Sequence, residues 1–283
     1  MYRIGVDVGG TNTDCALLSL RPEDLTSPSR GVLFSTKTPT TPDITSGITT
    51  AISHILTQSS ISKSSILSIN IGTTHFVNAV VEADSRRLSK VAVVRLCGPS
   101  TRHIPPFADY PLNLRSIIDG GVWYLHGGLE IDGREILPLN EFQIKQTVRE
   151  VSAKGLSKIA LVGVFSSLDH EGKHEERCKK IMLEMSRREG WDLDVVCSHE
   201  IGGVGLLERE NATILNASIL DVARRTVRSF KKAMRELELK CPLYLTQNDG
   251  TLCGADEAAK LPIKTFASGP TNSMTGAAFL AGY

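Results

Sequence analysis

The chain opens directly into a strand-like run over residues 2–8, and two more follow at 14–20 and 31–38. The short Gly-rich segment Gly9-Gly10-Thr11-Asn12-Thr13 between the first two suits a β-hairpin. Ile44, Ile48, Ala51, Ile52, Ile55 and Leu56 then recur at helical spacing and make one apolar face. Thr41-Pro42-Asp43 ahead of them reads as an N-cap with proline at the first helical position. A buried strand over 66–71 runs into Gly72-Thr73-Thr74 and a helix to about residue 84.

Beyond it the pattern predicts a strand at 90–96, a long Pro-rich loop at 97–113 and strand pieces between 117 and 136. Asn140 with Gln143 resembles a capping box and starts a helix to about residue 154. A strand at 158–165, a helix at 169–189 and a strand at 193–197 come next. Gly202, Gly203 and Gly205 then lead into a long helix over about 206–237. A strand at 242–246, a turn at 247–250, a short strand at 263–266 and a last helix from Ser268-Gly269-Pro270 to residue 280 complete the series. Strands alternating with helices argue for α/β sheets covered by helices.

Composition narrows the class. With 283 residues, 41% hydrophobic and 22% charged, the chain is long enough for one large or two modest globular cores. A net charge of +1 with dispersed Lys and Arg carries no nucleic-acid footprint and no membrane-binding patch. The six cysteines form no C-x-x-C pair and read as reduced core residues of a cytoplasmic protein. Neither a signal peptide nor a transmembrane run is evident.

The chemistry concentrates at Asp7-Val8-Gly9-Gly10-Thr11-Asn12-Thr13-Asp14. Two glycines let the backbone turn sharply and approach a ligand, and successive N–H groups in such a turn make an anion-binding nest. The Thr11 and Thr13 hydroxyls can add hydrogen bonds to phosphate oxygens, and Asp7, at the end of a strand, can hold Mg²⁺ through water. The bland alternative is a hairpin with an Asp at its base. Gly72-Thr73-Thr74 lies between a strand and a helix, where free N–H groups gather, although taken alone plain capping by Thr73 is the favoured reading. Ser268-Gly269-Pro270 is a third such step.

In this order the motifs resemble the hydantoinase/oxoprolinase family, and the first of them resembles the phosphate hairpin of actin-like ATPases and sugar kinases. The resemblance runs through Arg3 to Asp14, Ile71-Gly72-Thr73-Thr74 with Asn78, residues 128–133, Ser198-His199-Glu200-Ile201, residues 246–250 and Ser268-Gly269-Pro270. It implies an α/β fold, a ribonuclease-H-like lobe of the actin-type ATPases over residues 1–200, followed by an incomplete second lobe over 201–283. It also implies an activity: ATP phosphorylates the oxygen of a cyclic amide such as 5-oxoproline or a hydantoin, and water then opens the ring. By analogy Asp7 and Asp14 are catalytic, with Asp7 organising Mg²⁺. Gly9, Gly10, Thr11, Asn12, Thr13, Gly72, Thr73, Thr74 and Gly269 form the ATP site. The expected partners are ATP, a small cyclic amide and either a companion subunit or a C-terminal continuation, with no nucleic acid and no membrane.

Two stretches depart from the family pattern: Thr271-Asn272-Ser273 stands where more glycine is usual, and residues 97–107 lack a Gly-Phe-Arg-Asp-like run. Family members are also longer, so a fragment or split subunit is expected. A sugar kinase and a non-catalytic partner-binding module remain as rival readings. His170-Glu171-Gly172-Lys173-His174 fits the H-E-x-x-H zinc pattern, but it has no third ligand and a glycine in its turn. A solvated helix start is the expectation there.

Overall fold

The computed structural model describes residues 1–41 and 43–282. In chain order its elements are β1 (Tyr2–Val8), β2 (Asn12–Ser19), α1 (Pro22–Leu25), β3 (Val32–Pro39), α2 (Ile44–Ser59), β4 (Ile66–Thr73) and α3 (His75–Val81). Next come β5 (Val91–Leu96), α4 (Leu112–Ile118), β6 (Asp119–Leu125), α5 (Glu141–Ala153), β7 (Lys158–Gly163), α6 (Glu175–Glu189) and β8 (Asp194–Cys197). The long α7 (Leu206–Glu236) leads to β9 (Leu243–Thr246), β10 (Leu252–Gly254), α8 (Ala255–Lys260) and α9 (Ser268–Ala281). The chain divides into two compact units, Met1–Val81 with Val222–Tyr283, and Glu82–Asp221.

The first unit is built on a six-stranded sheet in the order β10-β9-β4-β1-β2-β3. β1 pairs antiparallel with β2 and parallel with β4, and β4 pairs parallel with β9. This is a mixed α/β arrangement, the fold class expected from the sequence. Alternation decides its faces: Ile4, Val6 and Val8 of β1 and Cys15 and Leu17 of β2 are buried, while Arg3, Gly5 and Asp7 are exposed. Helix α2 buries Ile48, Ala51, Ile52 and Ile55, and packs against β2 and β3. Its cap is Asp43, not Thr41: the Asp43 carboxylate accepts Thr45 N–H at 3.1 Å and Ser46 N–H at 3.3 Å. The expectation for Pro42 lies outside the described residues.

The second unit is a four-stranded, fully parallel sheet in the order β6-β5-β7-β8. β5 and β7 are buried along their whole length, as strands of a parallel sheet covered on both faces should be. Helices α5 and α6 close one core over them through Ile144, Val148, Val151, Cys178 and Met182.

Three local expectations are corrected. Residues 263–266 do not form a strand; Pro262–Thr265 is a 3-10 turn. The edge of the sheet beyond β4 is formed by β9 and the short β10. The loop after residue 97 ends earlier than expected, in α4, which starts directly after Pro111. Helix α6 begins at Glu175 and not at Asp169, because the Asp169 carboxylate accepts the N–H groups of Lys173 and His174 at 3.1 and 2.8 Å and Gly172 takes a positive φ of 64°.

Candidate nucleotide site

The hairpin turn between β1 and β2 is closed by its own backbone: Gly9 N–H donates to Asn12 O at 3.0 Å. A Cβ on Gly9 would lie 3.1 Å from that same oxygen, which is why the turn is glycine there. A residue that sequence reasoning missed locks the turn from outside. Thr40, at the end of β3, donates its N–H to Thr11 O at 2.9 Å and its hydroxyl to Gly9 O at 2.9 Å. The Thr13 hydroxyl lies 3.3 Å from the Thr40 hydroxyl and is buried. Thr13 therefore points to the packed face, away from its neighbour Asp14. Gly10 faces the other way, where a Cβ would meet Asn78 Nδ2 at 3.6 Å.

Asp7 and Asp14 are opposite each other in the β1–β2 register. Asp14 has a partner in Lys37, 3.3 Å away on β3. Asp7 has no ion-pair partner among the described residues. Desolvation by the surrounding protein, and then the negative charge of Asp14, hold its pKa above the ordinary carboxylate value.

The end of β4 runs beside Asp7, with Gly72 as its parallel partner. Thr73 is used structurally: its hydroxyl donates to Val8 O at 3.3 Å and accepts His75 N–H at 3.2 Å, so it caps α3. Thr74 accepts the Asn78 amide at 3.4 Å. The start of α9 closes on this strand end. A Cβ on Gly269 would touch Thr74 Cγ2 at 3.5 Å, and one on Gly72 would strike Asn272 Nδ2 at 2.6 Å.

Asn248 anchors the start of α9. It donates its N–H to Lys264 O at 2.6 Å and its amide to Ile263 O at 3.1 Å. It also accepts Ala267 N–H at 2.7 Å and, at its carbonyl, the Thr271 hydroxyl at 2.8 Å. The unit thus brings together Asp7, Asp14, Gly72, the Gly9–Asn12 turn and the first turn of α9. It leaves the side chains of Thr13 and Thr73 inside the packing.

Comparison with known families places the chain. The model of the hydantoinase/oxoprolinase N-terminal region matches residues 3–186, and that of the hydantoinase/oxoprolinase domain matches residues 209–283. The chain belongs to the hydantoinase/oxoprolinase family.

Among its relatives in the family are an uncharacterised protein of Methanocaldococcus jannaschii, 24% identical over 99% of this chain and 40% of that protein. Another is the caprolactamase subunit alpha of Pseudomonas jessenii, 25% identical over 96% of this chain and 39% of that subunit. The fold is similar to that of a nucleotide-free acetone carboxylase, with a TM-score of 0.75 and 20% identity over 99% of this chain and 41% of the other. It is similar too to the ATP-dependent caprolactamase of P. jessenii, with a TM-score of 0.68 and 21% identity over 97% and 40%. The chain thus spans about two-fifths of these relatives.

Family motifs in the second unit have a structural use. Glu175 is buried and accepts Gly163 N–H at 2.6 Å, the Ser198 hydroxyl at 2.5 Å and His199 N–H at 3.0 Å, and His199 Nδ1 lies 2.6 Å away. Burial opposes its ionisation, but hydrogen bonds from His199 and Ser198 prevail and hold its pKa below the usual range. Glu175 in turn raises the pKa of His199. Arg209, also buried, donates to Ser198 Oγ at 2.8 Å and to the carbonyls of Gly203 and Val204 at 2.7 and 3.0 Å, which fixes the Gly-rich loop entering α7.

Glu175, Cys197 and His199 offer ligand atoms within 4.8 Å of one another. Both Glu175 oxygens are already engaged, however, and burial raises the Cys197 pKa. Hydrogen bonds account for the cluster without a metal. The H-E-x-x-H stretch lies in turns ahead of α6. His174 Nδ1 accepts Gly128 N–H at 3.2 Å while His170 is exposed, so the two do not share a helical face. Among the described residues no helix is long and apolar enough to cross a membrane.

Proposed function

We propose that this chain carries the ATP-binding part of a cytoplasmic enzyme that opens a cyclic amide. The carrying observation is the carboxylate pair at the mouth of the hairpin. Asp7 lacks a cationic partner, has a raised pKa and stands beside Gly72 and the start of α9. Such a carboxylate suits a hard divalent cation, and Mg²⁺ takes one or two carboxylates with phosphate oxygens and water. Asp7 would hold Mg²⁺, which neutralises phosphate charge, and Asp14 would support it from the opposite strand.

The remaining roles follow from the same unit. Backbone N–H groups of Gly10, Thr11 and Asn12 would receive phosphates, and Gly72, Thr74 and Gly269 would line the space beside them. In the reaction the terminal phosphoryl group of ATP passes to the amide oxygen, ADP leaves, and water attacks the activated carbon. Overall, cyclic amide, ATP and two waters give the open amino acid, ADP and phosphate. Phosphoryl transfer of this kind asks for positioning and charge stabilisation more than for a protein nucleophile. The relative named as a caprolactamase subunit supports a cyclic amide as substrate and a companion chain as partner.

The test is phosphate release from Mg·ATP with 5-oxoproline, hydantoin or ε-caprolactam, on the chain and on Asp7→Ala. Release stimulated by a cyclic amide and lost in Asp7→Ala is expected. ATP consumption indifferent to both would contradict it. The acetone carboxylase likeness favours a second reading, ATP-dependent carboxylation. Stimulation by acetone with bicarbonate, and not by any cyclic amide, would select it.

A further inference from the structure

Asn272 presents a free carboxamide beside Asp7. A Cβ on Gly72 would lie 2.6 Å from Asn272 Nδ2 and 3.1 Å from Asp7 Oδ1, so amide and carboxylate border one small space that glycine leaves open. Asn272 is half-buried, and its side chain makes no hydrogen bond to the described residues. Its neighbours differ: the Thr271 hydroxyl donates to Asn248 O at 2.8 Å, and the Ser273 hydroxyl to Gly269 O at 3.1 Å. Ser268, four residues earlier and so on the same face of α9, is fully buried, and its hydroxyl also has no hydrogen-bond partner. A buried polar group left unpaired, as the Ser268 hydroxyl is, is costly, and with the uncommitted Asn272 carboxamide on the same helix face it points to a polar ligand.

We propose that Asn272 recognises the ring amide itself, pairing its carboxamide with the cis edge of a lactam; this rests on the cyclic-amide reading above. A small ring forces its amide cis, so that N–H and C=O lie on the same edge, whereas open-chain secondary amides are trans. A primary carboxamide also carries a donor and an acceptor side by side. The two groups therefore match through a pair of parallel hydrogen bonds, and one lone pair of the lactam oxygen remains free. Phosphate oxygens only accept and would use half of this group. The position beside Asp7 brings that oxygen next to the carboxylate assigned to the metal.

Ligand-observed NMR in the presence of Mg·AMPPNP tests this, with ε-caprolactam and N-methyl-ε-caprolactam as probes on the whole chain and on Asn272→Ala. The unmodified chain should prefer the N–H lactam by about tenfold, the worth of one hydrogen bond. Asn272→Ala should bind Mg·AMPPNP, hold both lactams weakly and fail to distinguish them. Retained preference in Asn272→Ala overturns the proposal and leaves the nucleotide site standing. Weakened AMPPNP binding with unchanged lactam preference makes Asn272 a phosphate ligand instead. An unmodified chain that binds AMPPNP but no lactam removes the ring-amide reading and this proposal together. One that binds no nucleotide removes the site.

Discussion

Asp7 and Asp14 are register partners across the β1–β2 ladder, and only Asp14 has a basic neighbour, Lys37. Two carboxylates opposite each other on adjacent strands repel. Desolvation by the surrounding protein, with this repulsion added to it, holds the Asp7 pKa above its ordinary value of 3.8. The native chain then holds this proton over a pH range in which the unfolded chain has lost it. Stability from this group is therefore present at low pH and is lost as pH rises through the raised value.

Replacing Asp7 by Asn should accordingly raise Tm at pH 7 and leave it little changed near pH 3, as thermal melts at the two pH values would show. The same change should abolish the stabilisation that Mg²⁺ with ATP gives the unmodified chain. A variant less stable at pH 7 would mean that the carboxylate is a structural partner and not a strained one.

Gly72 and Asn272 should be coupled. Gly72→Ala places a methyl 2.6 Å from Asn272 Nδ2, the far end of a flexible side chain, so the fold survives and the amide is displaced. We expect a loss of about 1 kcal/mol that is largely recovered in the Gly72→Ala/Asn272→Ala double variant. Urea unfolding of the four members of the cycle measures it. Additive losses would show that the two side chains do not meet.

Thr40 ties the hairpin at Gly9 O and Thr11 O, and only the first of these bonds uses its side chain. Thr40→Val should cost about 1 kcal/mol and weaken nucleotide binding through a looser turn. Unchanged affinity for Mg·AMPPNP by calorimetry would show that the turn is held without it.

How much of this was legible in the sequence depends on whether the cause was local. The hairpin was, because Gly9 and Gly10 answer a turn closed within four residues, and so was α5, capped by its own Asn140. Residues 263–266 look like a strand by composition, but the Ile263 and Lys264 carbonyls are taken by Asn248, fifteen or more residues away in sequence. The start of α6 was misplaced because Asp169, which reads as the start of the helix, instead takes the N–H groups of Lys173 and His174 ahead of it, with Gly172 turned to positive φ. At the site, Asp7 and Gly72 announced themselves by motif. Thr40 and Asn272 did not, since Thr40 reaches the turn only through the β2–β3 pairing and Asn272 reaches the end of β4 only through the packing of α9.

The Glu175–His199 pair in the second unit sets a pH window. Glu175 has a lowered pKa, so its contribution is present above its unfolded value and lost as pH falls through the native one. His199 has a raised pKa, so its contribution is complete below its ordinary 6.5 and lost as pH rises through the native value. His199→Ala should remove the decline in stability on the alkaline side. Glu175→Ala should cost about 3–5 kcal/mol, because Arg209 and Ser198 lose the charge that organises them. Chemical denaturation across pH 4–9 reads both effects, and an alkaline limb that survives in His199→Ala would contradict this account.

The central claim is that the Gly9–Asn12 turn, Asp7 and the first turn of α9 form one nucleotide site. Hydrogen–deuterium exchange of the chain with and without Mg·AMPPNP tests it most directly. Slowed exchange at residues 9–13 and 268–273, absent without Mg²⁺ and absent in Asp7→Asn, is the predicted result. Protection confined to other segments, or indifferent to Asp7, would contradict it.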